Sequence, residues 1–369
     1  ALSSAASDVY KRQLLRRDEA LYEGQEFYAC ILDEAQAIKN HTTQKYKAVC
    51  KVRSRVRFAL TGTPVENRLG ELWSIFSFLM PGYLPPYKSF CSRFEKPIVQ
   101  EEDQTAVRRL NQLTGPFILR RMKSDVLKEL PPKTENVYRI ELEEEQRKLY
   151  LAAVVDAREK LQAAKPEDKM AVFAVLMRLR EICCDPRLIA DNWEGGSAKL
   201  DACVELVSSA VEGGHRILLF SQFTSMLELL AKRLDAEGIS HFTLQGSTPK
   251  PVRAELVRRF NGGEVSVFLI SLRAGGTGLN LTAADIVIHY DPWWNVAAQN
   301  QATDRAYRIG QQNPVQVYKL IAQDTIEEKI VELQQAKQSL ADTVTGTADG
   351  AILSMRPDEL LQLLEGSEP

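Results

Sequence analysis

Two adjacent carboxylates follow an apolar run early in the chain, in the string ILDEAQ at residues 31–36. At the end of a strand, Asp33 could hold Mg²⁺ while Glu34 orients a water for attack on a phosphate. The same two letters are also common at the start of a helix, where a carboxylate accepts hydrogen bonds from backbone N–H groups. The pair by itself leaves both interpretations open.

A second string, ALTGTP at residues 59–64, places Thr61 and Thr63 on either side of a glycine after another apolar run. Short hydroxyl side chains at such a turn can connect a phosphate site to a neighbouring loop through hydrogen bonds. The alternative is an ordinary exit from a strand, with Pro64 at the first position of the next helix. This string alone excludes neither interpretation.

Three glycines fall within four positions in the string SLRAGGTGLNL at residues 271–281, directly after an apolar run. Gly275, Gly276 and Gly278 leave backbone N–H groups accessible, and such groups bind phosphate oxygens of a nucleotide or of a nucleic-acid backbone. Glycine-rich loops also occur without any ligand. The string therefore adds to a phosphate-site hypothesis only in combination with others.

A pair of arginines lies in the string QNQATDRAYRIGQ at residues 299–311. Arg305 and Arg308 are three positions apart, which predicts that they share one face of a helix. Two guanidinium groups on one face can stabilise the charge that develops on a transferred phosphoryl group. The alternative is a pair of surface arginines in salt bridges, which contribute little to stability.

The overall composition fits a globular protein that can position such groups. At about 150 residues per domain, 369 residues predict two domains with room for a helical insert; 44% apolar and 26% charged residues exclude general disorder and a fibrous class. No apolar run approaches the ~18 residues of a membrane span. The net charge is −2, but residues 341–369 carry six acids and one base, so the remainder has 46 basic against 43 acidic residues.

The elements that would carry these strings alternate between strands and helices. Near-continuous apolar runs suit parallel strands that are covered on both faces. They occupy residues 28–32, 56–60, 216–220, 265–270, 285–289 and 315–320. The helical patterns between them predict an α/β architecture with binding loops at the carboxyl ends of strands.

Residues 70–79 and 141–183 have a helical pattern instead. In the second stretch Met170, Phe173, Met177 and Ile182 recur at helical spacing and are interpreted as core.

The order of the four strings resembles the Swi/Snf family of superfamily-two helicase-like ATPases. Further strings at the family's positions are LRRMKSDV at residues 119–126, LPPK at 130–133, LFSQF at 219–223 and DPWWN at 291–295. The string DEAQAIKN at residues 33–40 is similar to that of a bacterial-type member. The resemblance extends from about residue 14 to residue 333.

This resemblance implies two RecA-like lobes with ATP in the cleft, and helical protrusions between them. The implied domains are a partial lobe 1 with the first protrusion (1–130), a linker and second protrusion (131–196), lobe 2 (197–340) and an acidic tail (341–369). The family's phosphate loop, G-x-x-x-x-G-K-[ST], is missing, because none of the 20 glycines precedes a lysine. We therefore expect an N-terminally truncated chain with an incomplete first lobe.

The family's functional residues carry over by motif. In lobe 1, the resemblance implies that Asp33 holds Mg²⁺ beside Glu34, that Glu34 polarises the attacking water, that Gln36 couples the lobes, and that Thr61 and Thr63 transmit the nucleotide state. In lobe 2, it implies that Arg305 and Arg308 are arginine fingers with Gln301 beside them and that Gly278 lies near the nucleotide. Ser271, Arg273, Gly275 and Gly276 would line the path of DNA.

The implied activity is ATP-dependent translocation along double-stranded DNA, which remodels or displaces bound protein. The partner is the duplex backbone, read without sequence specificity, and the displaced protein is left open between nucleosomes, RNA polymerase and other DNA-bound proteins. No membrane is involved. The location would be the bacterial cytoplasm, at the nucleoid, or the eukaryotic nucleus. The alternative is that this chain by itself is a non-catalytic DNA- or protein-binding fragment.

Overall fold

The computed structural model of the chain describes residues 22, 24–61, 69–101, 103–119, 121, 127, 129–165, 168–190, 192–275, 279–334 and 357–365. The described residues form two units. The first is residues 22–119, and the second is residues 121–334 together with 357–365. Among them, every helix is too short or too polar to cross a lipid bilayer.

The first unit contains a pair of parallel strands, β1 (Glu26–Leu32) and β2 (Arg53–Ala59). A short 3₁₀ turn, Ala35–Ile38, and helix α1 (Gln44–Lys51) connect them. The hydroxyl of Thr43 begins α1 by accepting a hydrogen bond from the backbone N–H of Tyr46 at 3.3 Å. Because the two strands are parallel, their carboxyl ends lie at the same edge.

Helices complete the first unit. They are α2 (Leu69–Leu79), α3 (Tyr87–Phe90), α4 (Lys96–Gln100) and α5 (Gln104–Thr114), with a π-helical turn, Cys91–Glu95, between α3 and α4 and a 3₁₀ turn, Gly115–Phe117, after α5. Leu72, Phe76, Phe90 and Leu110 are buried in their common core. A second cluster joins α2 to the strands through Phe78, which packs with Val49 of α1 and Leu32 of β1.

The second unit contains a six-stranded parallel sheet. Its strands, in spatial order, are β3 (Lys133–Ile140), β8 (Val315–Ala322), β7 (Ile286–His289), β4 (Ile217–Ser221), β6 (Val267–Ser271) and β5 (His241–Leu244). Every residue of β4, β6 and β7 is buried. Continuous apolar strands of this kind are expected where helices cover both faces of a parallel sheet.

Five helices alternate with strands β4 to β7 of this sheet, the first preceding β4 and each of the others following one strand. They are α8 (Ala198–Glu212), α9 (Thr224–Ala236), α10 (Lys250–Asn261), α11 (Leu272–Gly275) and α12 (Val296–Thr303). The strand side chains alternate between two cores. Leu219 packs on the α8–α9 side, whereas Leu218 packs on the side of α10 and α12.

A helical layer belongs to the same unit. It consists of α6 (Glu144–Ala163), α7 (Lys169–Cys184) and α13 (Pro357–Glu365). Leu360 and Leu364 of α13 are fully buried in a cluster with residues of α6 and α7. The predicted acidic tail therefore contains a helix that packs on this unit, because two leucines four positions apart form one apolar face.

The predicted α/β class is confirmed, and each of the six predicted strands is present with bounds that differ by at most three residues. Strand β3 lies within residues 131–196, for which the sequence predicted a linker and the second protrusion. Its sequence KTENVYRI has no apolar run, because it is an edge strand with seven of its eight residues exposed. Strand β5 was also missed, since it has only four residues.

The core predicted for α7 is partly wrong. Met170 and Phe173 are 74% and 40% exposed, whereas Ile182 is fully buried. The buried face instead includes Val172, Val175, Leu176 and Leu179. Both sets recur at helical spacing, so periodicity alone could not say which face of α7 meets α6.

Candidate functional site

The acidic pair lies in a tight turn at the carboxyl end of β1. Glu34 has φ 52° and ψ 53°, the left-handed region that few residues other than glycine adopt. The backbone N–H of Glu34 donates to Asp33 Oδ1 at 2.9 Å, and Glu34 makes no side-chain cap to the 3₁₀ turn that follows. The interpretation of Asp33 and Glu34 as an ordinary helix cap therefore does not describe this turn.

Gln36 connects the turn after β1 with the turn after β2. Its side-chain amide donates to Glu34 Oε2, and its Oε1 accepts the hydroxyl hydrogen of Thr61 at 2.7 Å. Backbone hydrogen bonds between the same turns run from Ala35 to the Leu60 carbonyl at 2.9 Å and from Leu60 to the Leu32 carbonyl at 2.7 Å. The predicted residues Glu34, Gln36 and Thr61 thus form one hydrogen-bonded chain.

The carboxylates of this turn suit a hard divalent cation. Asp33 is exposed and Glu34 is half-buried, so the Asp33 carboxylate is accessible from solvent. Mg²⁺ prefers oxygen ligands and is usually bound by one or two carboxylates, with water and phosphate oxygens at its remaining positions. The residues present at the end of β1 therefore fit a magnesium–nucleotide site.

Several predicted residues cannot be placed. Thr63, Gly276 and Gly278 lie outside the described residues, and Arg273 and Gly275 are described only as backbone positions in α11. Ser271, the last residue of β6, is 3% exposed, and its hydroxyl accepts a hydrogen bond from the Ala274 N–H at 3.4 Å. Ser271 thus holds the turn of α11 at the start of the glycine-rich loop.

The two arginines do not share a helix face, so that prediction is wrong. Asn295 caps helix α12, since its Oδ1 accepts from the Ala298 N–H at 2.7 Å, and the helix ends at Thr303. Arg305 and Arg308 follow in consecutive turns, which close through backbone bonds such as that from Arg305 to the Ala302 carbonyl at 3.1 Å. The spacing of the two arginines therefore did not predict the conformation of their segment.

The arginine segment is joined to the chain that follows the glycine-rich loop. Arg308 Nη1 donates to the Leu279 carbonyl at 3.2 Å, and the Arg305 carbonyl accepts from the Leu281 N–H at 3.0 Å. Arg305 is 7% exposed, so it is not an ordinary surface arginine. Gln301 is half-buried in α12 and precedes Arg305 by four positions. The third and fourth strings therefore meet in space.

Gln311, for which the sequence predicted no role, closes the arginine segment. Its Nε2 donates to the Ala284 carbonyl at 2.7 Å and to the Ala306 carbonyl at 3.2 Å, while its Oε1 accepts from the N–H groups of Gln312 and Asn313. Gln311 is 6% exposed. A buried glutamine with this many backbone partners fixes the path of the loop.

His289 supports the same segment from the sheet. It is fully enclosed at the end of β7, and its Nε2 lies 2.9 Å from Thr303 Oγ1 at the end of α12. Burial, aided by the positive charge of Lys319, lowers the pKa of His289 to about 3, so the ring is neutral near pH 7. Thr303 is two positions before Arg305. Only the fold could show this contact between residues 14 positions apart.

Asp291 connects two of the family-like strings. Its Oδ1 accepts the hydroxyl hydrogen of Ser221 at 2.6 Å and the backbone N–H of Gln222 at 3.2 Å. It is fully buried, and burial raises the pKa of this carboxyl above its usual range despite the neighbouring Arg180. The carboxyl ends of β4 and β7 are thus joined by a buried polar contact.

Two family models match the chain. The SNF2-related domain matches residues 10–188, and the helicase conserved C-terminal domain matches residues 198–310. Among curated relatives, an uncharacterized ATP-dependent helicase of Mycoplasma pneumoniae is 40% identical over 357 residues, which are 95% of this chain and 34% of that protein. The human SWI/SNF-related matrix-associated actin-dependent regulator of chromatin subfamily A member 1 is 35% identical over 96% of this chain and 36% of its own length.

The chain spans about a third of the length of the curated relatives it matches. Among solved structures, the Sulfolobus solfataricus SWI2/SNF2 ATPase core in complex with dsDNA is similar, with a TM-score of 0.52 and 35% sequence identity. The match covers 91% of this chain and 72% of that one. The two family models match the chain in the same order as the four strings, and the similar structure is of the same family. This chain therefore belongs to the SWI2/SNF2 family of helicase-like ATPases.

Proposed function

We propose that this chain provides the hydrolytic and DNA-tracking elements of an ATP-dependent double-stranded DNA translocase that remodels or displaces DNA-bound proteins. The observation that carries the proposal is the hydrogen-bonded chain from Thr61 through Gln36 to Glu34. These hydrogen bonds join the acidic pair at the end of β1 to the turn after β2. A site that responds to the presence of the γ-phosphate requires such a connection. The Sulfolobus relative, whose structure contains dsDNA, supports a duplex partner.

In this proposal, each residue of the first unit has a defined role. Asp33 holds Mg²⁺ on the phosphates of ATP, and Glu34 accepts a proton from the attacking water while orienting it. Gln36, Thr61 and Thr63 relay the presence of the γ-phosphate to the neighbouring turn. The exposed carboxylate of Asp33 and the left-handed turn at Glu34 support these assignments.

In the second unit, Arg305 and Arg308 stabilise the charge on the transferred phosphoryl group, with Gln301 and Gly278 near the nucleotide. The hydrogen bond from Arg308 to the Leu279 carbonyl supports this role, since it holds the arginine segment against the chain that follows the glycine-rich loop.

DNA lies against the loop after β6 in this proposal. Arg273 and the backbone N–H groups of Gly275 and Gly276 contact phosphate oxygens, and Ser271 holds the turn that presents them. Such contacts read the backbone and not the bases. The displaced protein is RNA polymerase or another DNA-bound protein, in the cytoplasm of a bacterium or in the nucleus of a eukaryote.

A second candidate function applies to the 369 residues alone. They include no G-x-x-x-x-G-K-[ST] sequence, so the groups that usually hold the β- and γ-phosphates are not among them. The chain would then bind DNA or a protein partner without hydrolysing ATP. Adding a phosphate-loop segment distinguishes the two candidate functions, because only a translocase would then hydrolyse ATP and move along DNA.

The deciding experiment is displacement of the third strand from a DNA triplex, which reports movement along a duplex without strand separation. The protein is a chimaera that carries a family phosphate-loop segment ahead of residue 1. We expect ATP-dependent displacement by the chimaera, none by the 369-residue chain, and none by the chimaera with Glu34→Gln. Equal displacement by the chimaera and its Glu34→Gln variant would refute the motor.

A further inference from the structure

A buried arginine connects the helical layer of the second unit to the loop that precedes α12. Arg180 lies on α7 and is fully buried. Its Nη2 is 3.5 Å from Asp291 Oδ2 and donates to the Pro292 carbonyl. Its guanidinium carbon lies 4.2 Å from the centre of the Trp294 ring. One side chain of α7 thus touches three residues of the DPWWN string.

The contacted loop is fixed on its other sides as well. Asp291 is hydrogen-bonded to Ser221 at the end of β4, and the Gln334 side-chain amide donates to the Trp293 carbonyl. The Trp293 N–H in turn donates to Gln299 Oε1 within α12 at 3.4 Å. The loop is therefore held between the sheet, α7 and α12, and Arg180 supplies the contacts from α7.

The loop determines where α12 starts. The last residue of the loop, Asn295, caps the helix because its Oδ1 accepts a hydrogen bond from the Ala298 N–H at 2.7 Å. Helix α12 has only eight residues, and it leads directly into the turns that carry Arg305 and Arg308. A displacement of the loop at Asp291 would therefore be passed along a short, rigid element to both arginines.

Stability alone does not account for an arginine at this position. Burying an ion pair costs desolvation that the attraction often fails to repay, and an apolar side chain of similar volume packs equally well between a helix and a sheet. A guanidinium group is flat, so Arg180 can donate from Nη2 towards both Pro292 and Asp291 while its face stacks on Trp294. That combination constrains the orientation of the loop.

We infer that Arg180 is a positioning residue, which sets the DPWWN loop so that the segment after α12 presents Arg305 and Arg308 in register for phosphoryl transfer. The inference rests on the proposed function for the role of the two arginines. The positioning itself depends only on contacts within the second unit, so it can be measured without nucleotide or DNA.

The test is hydrogen exchange, followed by mass spectrometry of peptides, on the full 369-residue chain. The variants are Arg180→Ala, Arg180→Lys and the matched control Arg178→Ala, an exposed arginine on the same helix. Residues 291–311 report the positioned segment, and residues 241–261, in β5 and α10 at the far edge of the sheet, serve as the reference. All measurements are made without ligand at one pH and temperature.

We expect Arg180→Ala to increase exchange in residues 291–311 by roughly tenfold or more, because a buried hydrogen-bonded charge is lost and local opening is favoured. Arg180→Lys should fall between Ala and the unaltered chain, since an ammonium group can donate but cannot stack in the same way. The reference residues and Arg178→Ala should not change. If Arg180→Ala does not fold, the inference is tested by Arg180→Lys, which should raise exchange in residues 291–311 and not in the reference residues.

An equal rise in both sets of residues would mean that Arg180 only stabilises the unit, and it would overturn the inference. No rise in residues 291–311 would overturn it as well. Failure of the proposed function has a different signature. In that case the exchange pattern appears as expected, while the triplex chimaera shows no ATP-dependent displacement.

Discussion

The hydroxyl of Thr61 donates to Gln36 Oε1 across 2.7 Å, although 25 positions separate the two residues. The contact exists because β1 and β2 are parallel neighbours whose carboxyl ends meet at one edge. Gln36 also donates to Glu34, the proposed base. A change at Thr61 can therefore reach the acidic pair through one intervening side chain.

We predict that Thr61→Val destabilises the chain by about 1 kcal/mol, the usual net contribution of one hydrogen bond. Valine has nearly the same shape as threonine, so packing should change little. Thr105→Val, at an exposed threonine on α5 of the same unit, is the control and should have less effect. Urea denaturation would measure both, and equal stability of Thr61→Val and the unaltered chain would contradict the prediction.

Replacing either arginine of the segment after α12 should reduce catalysis in the phosphate-loop chimaera. We expect Arg305→Ala and Arg308→Ala each to lower ATP turnover by a factor on the order of 10³, as loss of an arginine finger does, with little change in DNA affinity. Lysine should rescue poorly, because it lacks the planar fork. The control is Arg258→Ala, an exposed arginine on α10.

Melting temperatures separate a catalytic effect of Arg305→Ala from a structural one, since Arg305 is buried. Retention of more than about half of the normal turnover by both alanine variants would favour a salt-bridge role.

DNA binding by the 369-residue chain should be weak and independent of sequence. We expect dissociation constants in the non-specific range, roughly 10⁻⁴–10⁻⁶ M, because few phosphates are contacted. They should rise with salt, because each phosphate contact releases counterions from the DNA. Fluorescence anisotropy on two unrelated duplexes over a salt series would measure this. Tight, salt-insensitive binding to one duplex, or no binding at low salt, would contradict backbone tracking.

The acidic tail, residues 341–369, should weaken this DNA binding by repelling the phosphates. Deleting residues 341–369 would test its charge, but the structure shows that Leu360 and Leu364 are part of the core, so deletion would also expose apolar surface. The combined variant Asp342→Asn, Asp349→Asn and Glu368→Gln removes charge and keeps α13. It should strengthen binding at low salt and matter less at high salt, as screening requires.

His289 should make stability depend on pH. Its folded pKa of about 3 lies below the ordinary value of 6.5, so the unfolded chain binds the proton more readily. The contribution of neutral His289 to the free energy of unfolding is complete above pH 6.5. It is lost as the pH falls from 6.5 towards 3, by at most about 1.4 kcal/mol per pH unit. Urea midpoints between pH 6.5 and 5 would show the loss. A loss of the same size in His289→Asn would assign the effect to other groups.

The sequence predicted the elements that are defined by continuous apolar runs. Strands β4, β6 and β7 are buried on both faces, so nearly all of their residues are apolar and the pattern is unambiguous. Strand β3 is exposed at an edge and shows no such pattern. The face of α7 was ambiguous for a related reason, because apolar residues lie on its exposed side as well as its buried one.

The site was predicted as a set of residues but not as a set of contacts. Asp33 and Glu34 were predicted because they follow one strand directly, and Gln36 was predicted from the family resemblance. The partners of Asp291 are 69 to 111 positions away, and no local pattern marks such pairs. The helix face expected for Arg305 and Arg308 failed because α12 ends at Thr303, where no glycine or proline signals a stop.

The most direct measurement of the central claim is steady-state phosphate release by the phosphate-loop chimaera, with and without duplex DNA. If Asp33 and Glu34 act on a bound nucleotide, DNA should stimulate turnover into the usual range for enzymes, roughly 1–10³ per second. Glu34→Gln, which keeps the shape of the side chain, should then lower turnover by about 10²–10⁴-fold. Turnover in Glu34→Gln above half of that of the unaltered chimaera would contradict the account.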